Sequence, residues 1–184
     1  MDSYKPTFIL VSLLALQMCM TIVFAQDAES NGDSTESRQG YVLKPGEGED
    51  TIGDGSSLIK ASPKTGTQGV VFVEDRMPPG STSGIHVHLE ADEFFYVLEG
   101  TGRISLGLNE HEISTGDTIF VPVGTDHKIT SSGENPLHVI FIVDRPGLDE
   151  QFRMEFQGLD RTKMTIAEFN AIVEKYGTVY KTFD

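Results

Sequence analysis

The chain is poor in several features that brace or decorate proteins. It has one cysteine in 184 residues, Cys19, so no disulfide can form within it. No Asn-x-Ser/Thr triplet occurs, which excludes N-glycosylation. Positive charge is scarce: 14 Lys and Arg stand against 28 Asp and Glu, a formal net charge of −14. That imbalance argues against nucleic acid and anionic membrane surfaces as partners, since both need clustered basic residues. Long apolar runs are missing too, with one exception over residues 8–24.

That exception predicts a secretory signal peptide over residues 1–25. Lys5 supplies a positive start, the apolar run is broken only by Ser12, Gln17 and Thr21, and Val23 and Ala25 offer small residues for cleavage after Ala25. The alternative is an uncleaved membrane anchor, but a spanning helix needs about 20 apolar residues and this run is short and interrupted. Cleavage implies a secreted, extracellular protein with no membrane attachment. It leaves about 160 residues, enough for one domain and one sizeable core. It also removes Cys19, so the mature chain would rely on its core, any bound metal and a partner subunit.

Residues 26–40 are mostly Ser, Glu, Asp, Gly and Gln with no apolar period, the composition of an acidic disordered leader. Between residues 26 and 55 the eight acids Asp27, Glu29, Asp33, Glu36, Glu47, Glu49, Asp50 and Asp54 face only Arg38 and Lys44. A solvated acidic tail accounts for them; a segment facing calcium or mineral is the alternative, since hard cations take carboxylate oxygen.

From residue 41 to 145 the pattern is all-β. Short β-prone runs at 57–61, 69–74, 85–88, 93–98, 103–108, 118–121, 127–131 and 137–143 alternate with turn signals such as Pro78-Pro79-Gly80, Asn109-Glu110, Gly116-Asp117 and Val123-Gly124. Such punctuation predicts a β-sandwich or barrel. Residues 146–184 form a C-terminal helical tail. Leu148, Phe152 and Phe156 stand at helical spacing, and Thr165 with Glu168 makes a capping box opening a helix to about Lys175, with Gly177 as its stop.

The chemistry sits in His86, His88, Glu93 and His127. Alternation puts His86 and His88 on one face of a strand, and Glu93 can return from the next strand to meet them. His127 follows the tight Pro122-Val123-Gly124 turn and can enter from across the barrel. Three imidazoles and a carboxylate on rigid strands make a metal site, with each imidazole needing an acceptor for its second nitrogen. A lone His-x-His is a weak signal; the joint spacing carries the reading.

These residues resemble the two signature motifs of the cupin superfamily. Gly80, His86, His88, Glu93 and Gly100 match the first, and Gly116, Pro122, Gly124 and His127 the second. The second motif's closing asparagine is replaced by Ser131, read as a turn element rather than a ligand. The chain looks like the single-domain, quercetin-dioxygenase-like cupins, and more distantly like the germins, whose N-terminal disulfide it cannot form. The resemblance implies a small β-barrel or jelly roll, to which the residue pattern adds two short C-terminal helices. It also implies a divalent transition metal (Fe, Mn, Ni, Cu or Zn) on His86, His88, Glu93 and His127, and a homodimer. Nitrogen-plus-carboxylate sites suit several of these metals.

The expected function is that of a metal-dependent oxidoreductase, dioxygenase-type, acting on a small organic molecule, with Glu93 as ligand and catalytic base. The alternatives are a non-enzymatic secreted binding or extracellular-matrix protein, and an isomerase or decarboxylase using the metal as a Lewis acid. Phe95 and Val97 share the face of Glu93, while Phe94, Tyr96 and Leu98 face the other way. An apolar outer face predicts cover by the helices or a second subunit. Glu90 and Asp92 read as a solvated rim or as guards of the cavity mouth, Arg103 as exposed, His111 as part of a hairpin turn, and His138 as a satisfied core histidine rather than a fifth ligand.

Overall fold

The computed structural model describes residues 38–156, 159 and 161–184. The expected signal peptide and all of the acidic leader before Arg38 lie outside the described residues. Two antiparallel sheets pack face to face as a jelly roll. The strands are β1 (Glu49–Asp50), β2 (Ser57–Ala61), β3 (Val71–Met77), β4 (His86–His88), β5 (Glu93–Glu99) and β6 (Thr101–Leu106), followed by β7 (Asn109–Ser114), β8 (Thr118–Val121), β9 (His127–Ser131), β10 (Leu137–Val143) and β11 (Thr178–Tyr180). One sheet runs β1-β2-β3-β10-β5-β8 and the other β11-β4-β9-β6-β7. Helices α1 (Leu148–Phe156) and α2 (Ile166–Val173) lie between β10 and β11.

Alternation builds the core. On β5, Glu93, Phe95 and Val97 are buried while Phe94 and Tyr96 are exposed. Phe95, Val97, Ile104, Ile119, Ile129 and Val139 meet between the sheets. A second cluster joins Ile59, Val71, Val73 and Val143 to Leu148 of α1, with Phe141 and Phe152 against it. Gly100 turns β5 into β6 at φ +90°; a Cβ there would lie 2.5 Å from the Pro136 carbonyl, so only glycine serves.

The tail departs from a purely helical reading. Thr165 caps α2 as expected: its hydroxyl accepts from the Glu168 N–H at 3.2 Å, and the Glu168 carboxylate accepts from the Thr165 N–H at 2.8 Å. The α-helix closes at Val173, one 3-10 turn follows, and Gly177 stops it at φ +83°. The chain then adds β11 to the second sheet, beside β4. Helix α1 is tied to β1 by Arg153, whose guanidinium donates to Glu49 at 2.7 and 2.8 Å and to Asp149 at 2.6 Å. Glu49 is therefore no part of a solvated tail, and Arg153 beside it holds its carboxyl below the usual range. Asp50 is also structural, accepting from the N–H groups of Ile52, Gly53 and Gly55.

Three further expectations are corrected. Strand β3 starts two residues later than read and runs on to Met77. Asn109, Glu110 and His111 form no turn: Gly107 and Leu108 make it, and His111 pairs with Ile104 within β7. The helices do not cover the outer face of β5. They pack elsewhere, and Phe94, Tyr96 and Phe120 stay 41, 46 and 48 % exposed.

Candidate metal centre

Strand geometry brings the four expected residues together. His86 and His88 lie two apart on β4 and project to the same face. Glu93 opens β5 on its buried side. His127 opens β9 directly opposite His86. All four are buried, and one donor atom from each lies within 4.8 Å of every other. An ion held at about 2.1 Å would set adjacent octahedral donors ~3.0 Å apart and opposite ones ~4.2 Å apart. Glu93 Oε2 stands 2.9 Å from His127 Nε2 and 3.3 Å from His88 Nε2, the spacing of adjacent ligands.

Neither of those contacts has hydrogen-bond geometry. Nε2 of His88, Nε2 of His127 and Oε2 of Glu93 are buried without a hydrogen-bond partner. Each such orphan costs about 1–3 kcal/mol, and a cation among them removes the cost. The donor set therefore fits a divalent transition metal. The second nitrogens are occupied: Nδ1 of His86 lies 3.1 Å from Gly84 O, that of His88 3.2 Å from Thr178 Oγ1, and that of His127 2.9 Å from Thr125 O. A carbonyl can only accept, so Nδ1 of His86 and His127 donates, leaving Nε2 to face the cluster.

The electrostatics agree. Burial alone would raise the Glu93 pKa, but His127 and His88 beside it outweigh that and hold it well below the carboxylate range. Burial disfavours charge on His127, yet the adjacent Glu93 raises its pKa. His86 is pushed well down, by burial first and then by the other two imidazoles. Glu93 and His127 thus each favour the charged form of the other, and a metal would compete with protons for the same atoms.

A cavity of about 240 Å³ opens on His86, His88 and Glu93; His127 is not among its lining residues. Phe95, Val139, Phe141 and Phe152 give it an apolar wall. Its polar groups include Asp75, Glu155 and Tyr180, none of them singled out by the sequence. Burial pushes the Asp75 carboxyl up to about 6, with the neighbouring Arg76 N–H opposing the rise and the Asp54 charge adding to it. Burial also raises Glu155, although Gln151 Nε2 donates to it at 2.5 Å.

The other candidates fall outside the site. His138 is turned to the outer face, where Nε2 meets Glu74 Oε1 at 2.9 Å. Glu90 pairs with Arg145. Asp92 accepts from the Val123 N–H at 2.7 Å and fixes that turn. Neither acid lines the cavity. Arg103 is exposed, facing Glu110 and Glu112. Ser131 is the fully buried last residue of β9, not a turn element. Thr178 was also missed; its one signal was the β-prone Thr178-Val179-Tyr180 run after Gly177.

Two packed antiparallel sheets with an inward cluster of three histidines and one carboxylate define a jelly roll with a candidate metal centre. Within that class the chain is similar to the cupins: the cupin domain family matches residues 73–143. An uncharacterised protein of Methanocaldococcus jannaschii is 39 % identical over 69 residues, 38 % of this chain and 55 % of its own. The oxalate-binding protein of Thermotoga maritima is 30 % identical over 73 residues, 40 % of this chain and 60 % of its own. Quercetin 2,3-dioxygenase of Bacillus subtilis is 32 % identical over 113 residues, 61 % of this chain but 33 % of the dioxygenase. The chain thus spans little more than half the length of the first two and a third of the last. A solved structure from Thermotoga maritima, described as a predicted oxalate decarboxylase, aligns at 26 % identity with a TM-score of 0.47, covering 48 % of this chain and 78 % of that one.

Proposed function

We propose that the protein is a secreted, metal-dependent oxidoreductase of the dioxygenase type, acting on a small organic substrate. The observation that carries this reading is the cluster of orphaned donors opening on a cavity with aromatic walls. His86, His88, Glu93 and His127 would hold the metal, which would supply redox or Lewis-acid chemistry next to the cavity. The aromatic wall excludes water and receives an apolar body. Glu93 is foremost a ligand, and in a base role it would act on a substrate hydroxyl that the cavity brings to it. The likeness to quercetin 2,3-dioxygenase over 61 % of the chain supports this chemistry. The apolar run at residues 8–24 supports export, and the open outer face of β5 and β8 supports a homodimer.

A second reading has its own support. The oxalate-binding relative favours a protein that captures a ligand at the metal without turnover. Metal analysis of protein purified without added metal, followed by oxygen-uptake assays with flavonols, diketones and oxalate, separates the two. Uptake with one substrate class is expected. Stoichiometric redox metal with no uptake on any of them would overturn the dioxygenase reading in favour of capture.

A further inference from the structure

We infer that strand β11 is part of the metal centre, with Thr178 and Tyr180 as positioning residues for His88 and His86. The inference rests on the reading of the four-residue cluster as a metal site. The register of β11 against β4 sets Thr178 opposite His88 and Tyr180 opposite His86, so each pair shares one face of the sheet. Both residues are buried, at 0 and 6 % exposure. Thr178 Oγ1 stands 3.2 Å from His88 Nδ1. The Tyr180 ring stacks on the His86 imidazole with centroids 5.0 Å apart and planes 18° from parallel.

The strand is held tightly enough for this role. The Leu89 N–H donates to Gly177 O at 2.7 Å and the Lys181 N–H to Ile85 O at 2.8 Å. Asn170 of α2 grips Tyr180 through both backbone groups, at 2.8 and 2.7 Å. The Tyr180 hydroxyl donates to Glu155 of α1 at 3.3 Å. At Gly84, φ +77°, a Cβ would lie 2.6 Å from Thr182 O, so the chain comes this close only past a glycine.

The three histidines differ in what orients them. His86 and His127 each find an acceptor two residues away in their own chain segment, Gly84 O and Thr125 O. His88 depends on a residue 90 positions later. Its imidazole is oriented only when β11 is in place. Metal binding and the docking of β11 are therefore linked, and linkage is reciprocal: whatever β11 adds to metal affinity, the metal returns to the docking of β11.

The test uses the full chain stripped of metal and titrated with cobalt(II) against a competing chelator, the cobalt absorption reporting ligand geometry. Thr178→Val keeps the shape and removes the acceptor. It should weaken cobalt binding by about 10–100-fold, the usual effect of losing such a partner, and alter the cobalt spectrum. Thr178→Ser should restore both. In the wild type, cobalt should slow amide hydrogen exchange over residues 178–182, a readout that stands even if Thr178→Val fails to fold. Wild-type affinity and spectrum in Thr178→Val, or exchange unmoved by cobalt, would overturn the role of β11. A wild type that binds no cobalt would instead overturn the metal reading on which the inference rests.

Discussion

Asp75 offers a measurable debit in stability. It lies on β3 between Val73 and Met77, on the side that lines the cavity. Burial, with the Asp54 charge adding to it, moves its pKa from 3.8 to about 6. Below pH 4 the carboxyl is protonated in both folded and unfolded chains and has no effect. Between about pH 4 and 6 the unfolded chain gives up the proton and the folded one keeps it. The folded state then binds more protons, so stability falls as pH rises, by about 1.4 kcal/mol per unit. Above pH 6 the loss levels off at roughly 3 kcal/mol. Asp75→Asn cannot ionise and escapes the loss. Urea unfolding of metal-free wild type and variant from pH 3.5 to 7.5 should give curves that agree at the acid end and diverge in favour of the variant, by about 3 kcal/mol at neutral pH. Subtraction cancels other titrating groups, including Glu155. A difference that stays flat across pH 4–6 would refute the reasoning.

His88→Ala should remove most bound metal, seen by mass spectrometry of the purified protein, and lower the melting temperature in the presence of metal; full metal content would show the ligand assignment to be wrong. Arg153→Met strands the carboxylates of Glu49 and Asp149, which it meets at 2.7 and 2.6 Å. It should cost about 3–5 kcal/mol in urea unfolding, the usual effect of breaking a buried pair, and a loss under 1 kcal/mol would mean that the network is solvent-screened. Phe94 and Phe120 stack on each other at 4.9 Å on the outer face. Changing both to Ser should convert a dimer into a monomer by sedimentation without altering metal content, and a monomeric wild type would dismiss that face as an interface.

A short β-prone run bounded by turn residues announces a strand; β5, β8, β9 and β10 were legible for that reason. The four clustered residues were legible because spacing within strands and the turn glycines fix which way each side chain points. Local pattern carries no information about pairing partners distant in sequence. So Thr178, 90 positions from His88, gave no sign of its role, and Glu49 read as one more acid in an acidic stretch although Arg153 of α1 claims it. Asp75 was hidden differently: a carboxyl on an otherwise apolar strand face reads as an exposed residue unless the cavity beside it is known. The two-faced apolar pattern of β5 was read correctly as alternation, but what covers the outer side depends on where the helices dock, and they dock elsewhere.

One of the strands that pattern reading missed, β7, has a consequence of its own. β7 ends its sheet, and among the described residues no strand pairs with its outer side. Such an edge is a template on which another chain can add as a further strand and seed aggregates. Of its six residues only Ile113 is buried, and Glu110 and Glu112 project charge into solvent. A second copy approaching that edge would meet carboxylate with carboxylate and little apolar surface to reward the contact. The polarity that disguised β7 as a turn is what keeps this flank of the molecule from growing into a fibre.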